Sequence, residues 1–181
     1  MRKSFVVVAG LPASGKTTLA RVLAPALGLP LIDKDDILER LFASRGIGDA
    51  TWRRTLSRLS DAILEKAALA SDGAILSSFW HVPGMPEDSG SHADWLRATS
   101  HRVVVVQCVC PPEVAAARFL ERRRHPGHLD GERTRAQILS SLRALSALGT
   151  LAVGPVLHVD MTGSLAIGDL VRDIRNMLAQ A

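Results

Sequence analysis

Eight residues near the start of the chain, Gly10-Leu11-Pro12-Ala13-Ser14-Gly15-Lys16-Thr17, complete the pattern G-x-x-x-x-G-K-[ST] and restrict the fold more than any other stretch. The apolar run Phe5-Val6-Val7-Val8 before it reads as a buried strand, and Thr18 to Leu27 after it reads as a helix. A strand that feeds a glycine-rich turn and then a helix gathers backbone N–H groups and the positive helix end at one point. That point suits a polyphosphate. Lys16 reaches the β- and γ-phosphates, and the Thr17 hydroxyl ligates Mg²⁺, which keeps several waters and takes phosphate oxygens as further ligands. Gly10, Pro12, Ala13, Ser14, Gly15, Lys16, Thr17 and Thr18 are therefore the nucleotide-binding candidates.

The rest of the chain alternates strand and helix signals. Pro30 to Asp33 reads as a short strand ending in the acidic run Asp33-Lys34-Asp35-Asp36, and a helix follows from about Asp36 to Ala43. Asp49 caps a long helix with apolar positions Trp52, Leu56, Leu59, Ile63 and Leu64, whose polar side carries Arg53, Arg54 and Arg58. Residues 74–79 read as the third strand, followed by Trp80, His81 and a loop rich in Pro, Gly and Ser up to His92, long enough to be functional. The run Val103-Val104-Val105-Val106 is the pattern of a strand buried on both faces. An arginine-rich helix with Arg118, Arg122, Arg123 and Arg124 comes next, then the turn His125-Pro126-Gly127-His128 and a helix from about Gly131 to Leu148. Val156 to Asp160 is the last strand, and an amphipathic helix closes the chain. Five strands separated by helical segments predict an α/β fold, a three-layer parallel sheet with helices on both faces and right-handed crossovers.

With 181 residues, a single domain over 1–181 is expected. No apolar run approaches the roughly 18 residues of a membrane span, so no membrane partner is expected. Met1 to Ser4 passes straight into the strand, so a cleaved leader would remove the phosphate loop itself, and a cytoplasmic location is expected for a monomer or homodimer. Cys108 and Cys110, two apart on one strand face, suit buried small apolar residues better than a disulfide or half of a metal site. The net charge of +4 is uneven: from Arg118 to Arg135 the chain has six arginines against Glu121, Asp130 and Glu132. Such a cluster fits nucleic acid or a lid closing over nucleotide phosphates.

In a parallel α/β sheet the carboxyl ends of the strands line the ligand crevice, so Asp33 and Asp35 are expected to face Lys16. Phosphoryl transfer needs positioning, charge neutralisation and a group that orients the attacking oxygen. Asp35 has the reach to act as base, and Asp33 to support Mg²⁺ with Thr17; the two roles are interchangeable at this level. Asp35 and Asp36 also suit the cap of the following helix.

In three places, Gly10 to Thr18, Asp33 to Asp36 and Arg118 to Arg124, and in the order of its elements over nearly its whole length, the chain resembles the small P-loop kinases. That group includes nucleoside monophosphate kinases, shikimate and gluconate kinases, chloramphenicol phosphotransferase and polynucleotide kinase. The resemblance implies ATP and Mg²⁺ as cofactors, Asp35 as the residue that takes the proton of a substrate hydroxyl, and a lid over about 118–135. It also implies that Arg118 and Arg122, spaced to share a helix face, contact nucleotide phosphates. Arg122 is assigned to the γ-phosphate, with Arg123 and Arg124 competing, and Arg118 to the adenine or the lid base. Gly163, in the turn Asp160-Met161-Thr162-Gly163, offers backbone contact to the base. Arg53, Trp80, His81, His125 and His128 are the acceptor-contact candidates, with core or loop roles as the alternative for Trp80 and the histidines.

No strand ends in an apolar run followed by Asp, which leaves magnesium to Thr17 and the Asp33/Asp35 pair. Polynucleotide kinase has an arginine three residues past its acid where this chain has Leu38, which argues against a nucleic-acid acceptor. The expected function is transfer of the ATP γ-phosphate to a hydroxyl of a small molecule. A polynucleotide 5′-hydroxyl kinase or a regulatory ATP-binding module without a dedicated acceptor are the alternatives.

Overall fold

A computed structural model describes residues 2–97 and 101–181. Five strands, β1 (Ser4–Gly10), β2 (Leu31–Asp33), β3 (Gly73–Ser77), β4 (Arg102–Val109) and β5 (Val156–Asp160), form one sheet in the order β2-β3-β1-β4-β5. Every pairing is parallel, as the continuous valine runs require. The helices are α1 (Lys16–Leu27), α2 (Lys34–Arg45), α3 (Ala50–Ala70), the short α4 (Asp94–Arg97), α5 (Pro112–Glu121), α6 (Arg135–Ser146) and α7 (Ile167–Gln180).

Side chains alternate across a strand, and β1 shows how this sorts the helices into two layers. Phe5, Val7 and Ala9 pack with Ile37, Leu38 and Phe42 of α2 and Leu56 and Leu64 of α3. Val6 and Val8 point the other way, against Leu19, Ala20 and Leu23 of α1 and Val171 and Ile174 of α7. A third cluster joins α5 to α6 through Phe119, Ile138 and Leu142 and carries the arginine-rich segment. Both cysteines are buried and unpaired, as expected of small apolar residues. Among the described residues no helix is long and apolar enough to cross a membrane.

The elements depart from the expected ones at four points, each with a local cause. First, α2 begins at Lys34, directly on β2, because Asp33 rather than Asp35 or Asp36 is the cap: its carboxylate accepts from the Asp35 N–H at 2.8 Å. Second, β3 stops at Ser77, and Trp80 leaves the sheet to form an isolated bridge with Ser91. Third, α5 ends at Glu121, so Arg122 is its extended C-cap, with ψ 141°, and Arg123 and Arg124 lie beyond the helix. Fourth, Trp52 and Ile63 are 36% and 38% exposed, while Leu56 and Leu64 on the same helix are buried. Trp52 sits in the first turn of α3, where its indole N–H donates to the Gly46 carbonyl at 3.2 Å.

Candidate active site

The loop between β1 and α1 is shaped for close backbone approach. Gly10 has φ 139°, and a Cβ there would lie 2.5 Å from the Cys108 carbonyl oxygen, so only glycine lets β1 turn against β4. Ala13 holds a left-handed φ of 62°, a conformation that costs a non-glycine residue on the order of 1–2 kcal/mol. Gly15 occupies the N-cap of α1 and offers no side-chain oxygen to the first turn, whose N–H groups stay available to an anion. Among the described residues the Ser14 hydroxyl has no hydrogen-bond partner, although it is buried. Lys16 folds back so that its ammonium donates to the carbonyls of Gly10 at 3.1 Å and Leu11 at 2.8 Å. Burial lowers its pKa to about 8, against the opposing pull of nearby carboxylates.

The Thr17 hydroxyl donates to Asp33 at 2.9 Å. Burial pushes the Asp33 carboxyl above the usual range, and the hydrogen bonds from the Asp35 N–H and Thr17 only partly offset it. Asp33 thus holds α1 to the β2–α2 junction. A hydroxyl and a carboxylate side by side in the phosphate-loop cavity form an all-oxygen donor set, which fits Mg²⁺.

Asp35 is in the first turn of α2 and lines the same cavity as Lys16, a space of about 1420 Å³. Its carboxylate pairs with Arg124 at 2.5 Å. Burial pushes this carboxyl up, but Arg124 and His128 outweigh burial and leave it below the usual range. Arg124 also reaches Asp130 at 3.3 Å, and Arg122 pairs with the same Asp130 oxygen at 2.9 Å while its guanidinium lies 3.9 Å over the Phe119 ring. The cavity therefore has one floor of phosphate-loop groups and a wall in which Arg122 and Arg124 are held by acids.

Of the expected site residues, Pro12, Ala13, Gly15, Lys16, Thr17, Thr18, Asp33, Asp35, Arg53, Arg118, Arg122 and His128 line this cavity. Arg118 donates to the Met161 carbonyl at 2.8 Å, which ties α5 to the turn after β5. The imidazole of His128 is buried and meets Glu39 at 3.0 Å; burial and the nearby Arg124 charge hold its pKa below the ordinary value. The Nε of Arg53 is buried without a hydrogen-bond partner among the described residues.

Four expected contacts lie off this cavity. Trp80 is buried, its indole N–H donating to the Val8 carbonyl at 2.9 Å, because a large aromatic beside the sheet edge fills core. His81 bonds the Ser89 carbonyl at 2.9 Å and stacks on His92, which uses both its polar edge and its face within the loop. His125 stacks on Phe42 with centroids 5.3 Å apart and accepts from the Gly127 N–H. Gly163 sits in an exposed turn with open space around it.

The pairing of Arg124 with Asp35 and the contacts of Lys34, Ser78 and Ser91 are not legible in the sequence. Nothing in their spacing signals them, since Lys34 and Ser91 are 57 residues apart yet within 3.1 Å.

Residues 5–148 match the AAA domain family. The chain is 36% identical over 77 residues to a shikimate kinase of Paracidovorax citrulli, a match that covers 37% of this chain and 42% of that protein. The chain spans less than half the length of the relatives it matches in this way, and only 18% of a mouse adenylate kinase 8. Over 98% of its length it superposes on a candidate kinase from Chloroflexus aurantiacus, covering 99% of that chain, with a TM-score of 0.81 and 28% identity. It shares the fold of the shikimate kinase of Bacteroides thetaiotaomicron, with a TM-score of 0.59 and 18% identity over 97% of this chain and 98% of that one.

Proposed function

The chain belongs to the AAA domain family, and on that footing we propose that it is an ATP-dependent phosphotransferase acting on a hydroxyl of a small molecule. One observation carries the proposal: Lys16 and Asp35 line a single cavity, near enough for each charge to shift the other's titration. The loop amides and the Lys16 ammonium take the triphosphate, with Lys16 leaving the carbonyls of Gly10 and Leu11 for phosphate oxygens. Thr17 and Asp33 hold Mg²⁺, directly or through water, and the ion neutralises charge on the phosphates.

Asp35 accepts the proton of the acceptor hydroxyl as its oxygen bonds to the γ-phosphorus and the bond from that phosphorus to the bridging oxygen breaks, releasing ADP. Arg122 and Arg118, on a lid spanning about 118–135, meet the charged phosphates. Arg124 must release Asp35 before the base can work, and an incoming phosphate offers its guanidinium a replacement for the carboxylate. The kinase relatives support this reading, and the shikimate kinase among them supports an alcohol acceptor.

Acceptor-stimulated ADP release, measured with Mg-ATP across a panel of hydroxylated metabolites and antibiotics, tests it. At least one acceptor should raise turnover well above the water background, and Asp35→Asn should abolish that stimulation while leaving ATP affinity within about twofold. Release that ignores every acceptor, or an Asp35→Asn protein that still transfers at the wild-type rate, overturns the assignment.

A further inference from the structure

A buried line of polar groups runs into the Asp35 end of the cavity and is used by none of the steps above. Lys34 follows the cap residue Asp33, which pairs in register with Ser77 on the neighbouring strand, so Lys34 and Ser78 leave adjacent strand ends side by side. The Lys34 ammonium is ion-paired with Asp61 at 2.7 Å and donates to the Ser91 hydroxyl at 3.1 Å. The Ser91 hydroxyl is hydrogen-bonded in turn to Ser78. Lys34, Ser78 and Ser91 are 9%, 6% and 2% exposed, and of the three Lys34 and Ser78 line the cavity.

Donor and acceptor counting gives this line a direction. An ammonium only donates, so the Ser91 oxygen accepts from Lys34. Directing the Ser91 proton to the Ser78 oxygen gives this buried hydroxyl a use for both its oxygen and its proton, and leaving a buried hydroxyl proton unused costs about 1–3 kcal/mol. In that arrangement Ser91 donates to Ser78, and the Ser78 proton is free for a group in the cavity that Ser78 lines. The serine pair is held rigidly: the Ser91 N–H donates to the Phe79 carbonyl at 2.8 Å and its carbonyl accepts from the His81 N–H at 2.9 Å. Gly90 permits the return of the loop, since at φ 77° an added Cβ would lie 2.7 Å from the His81 nitrogen.

We propose that Ser78 is a specificity-determining residue whose hydroxyl, polarised through Ser91 by Lys34, donates to a second oxygen of the acceptor beside the hydroxyl that is phosphorylated. The inference rests on the phosphotransferase reading and narrows it: the acceptor is a polyol or hydroxy acid rather than a simple alcohol. An acceptor without that second oxygen leaves the Ser78 proton unpaired against an apolar surface and is discriminated against.

The test uses the full chain, with shikimate, D-gluconate and myo-inositol as polyoxygenated probes and cyclohexanol as the monohydroxy control. Binding is measured by calorimetry and ADP release in parallel. Wild-type protein should favour at least one of the three probes over cyclohexanol. Ser78→Ala should raise Kd and KM for that probe about 3- to 10-fold, the range of one lost neutral hydrogen bond, with kcat within about twofold and cyclohexanol bound no more weakly, since no unpaired proton then faces it. Ser91→Ala, which keeps the Ser78 hydroxyl but removes its polarising partner, should give a smaller loss. A merely structural serine pair would lower the melting temperature of both variants and leave the probe-to-cyclohexanol ratio unchanged, which overturns the proposal. So does wild-type protein that binds none of the three probes, or prefers cyclohexanol. Probe binding that is lost in Ser78→Ala without any ADP release upholds the Ser78 assignment and removes the phosphotransferase reading instead.

Discussion

Raising the pH from 7 to 9 should weaken ATP binding through Lys16 alone, and the effect can be worked out from its position. In the ligand-free protein the Lys16 ammonium donates to two carbonyls in a buried setting, and burial lowers its pKa to about 8. A bound triphosphate favours the ammonium, so the pKa rises on binding, and above pH 8 binding must also take up a proton. The charged fraction of a group with this pKa falls from roughly nine-tenths at pH 7 to roughly one-tenth at pH 9, so Kd should rise about tenfold over that interval. Below pH 7 this contribution is fully present and Kd should level off. Asp35 and His128 are held below their ordinary values and Cys108 is pushed up to about 12, which keeps these three neighbours away from this window. Calorimetry with Mg-ATP in buffers of different ionisation enthalpy gives both Kd and the proton uptake. Residual binding to Lys16→Ala should be weak and flat across the same range. A wild-type Kd that does not change between pH 7 and 9, or no proton uptake at pH 9, refutes the reasoning.

Arg124→Gln should leave Asp35 without its cation: the carboxyl, now held below its usual range, should move up. Because a depressed carboxyl stabilises the fold above its unfolded pKa and loses that as pH falls through its folded one, the melting-temperature gap between wild type and variant should narrow below about pH 4; a gap that widens there counts against the pairing. Asp35 is half exposed, so the gap at neutral pH should be worth only about 1 kcal/mol. Gly90→Ala combines a positive φ with a close approach to the His81 backbone; it should cost about 1–3 kcal/mol in urea unfolding and raise acceptor KM, since Ser91 can no longer seat. Leu23→Ala, at a fully buried position between α1 and the sheet, should cost about 2–5 kcal/mol with ATP affinity retained once folded; a loss below 1 kcal/mol would show that the α1 layer repacks.

Local signals in the chain sufficed for the phosphate loop, the parallel sheet and the acidic end of β2. Each is a short-range pattern: glycine spacing for backbone N–H donors, unbroken valine runs for strands covered on both sides, and carboxylates at a strand end where the crevice must open. Tertiary structure alone decided how the polar side chains pair. Arg124 lies 89 residues from Asp35, and Ser91 lies 57 from Lys34 and 13 from Ser78. Trp80 reads as core or pocket wall and His81 as a candidate substrate contact, because composition near a loop does not say which way a ring turns. What fixes these pairings is the closure of separate segments over one strand edge, where every buried donor must find an acceptor and every buried charge a counter-charge. That balance is struck in three dimensions and leaves no spacing in the sequence from which to read it.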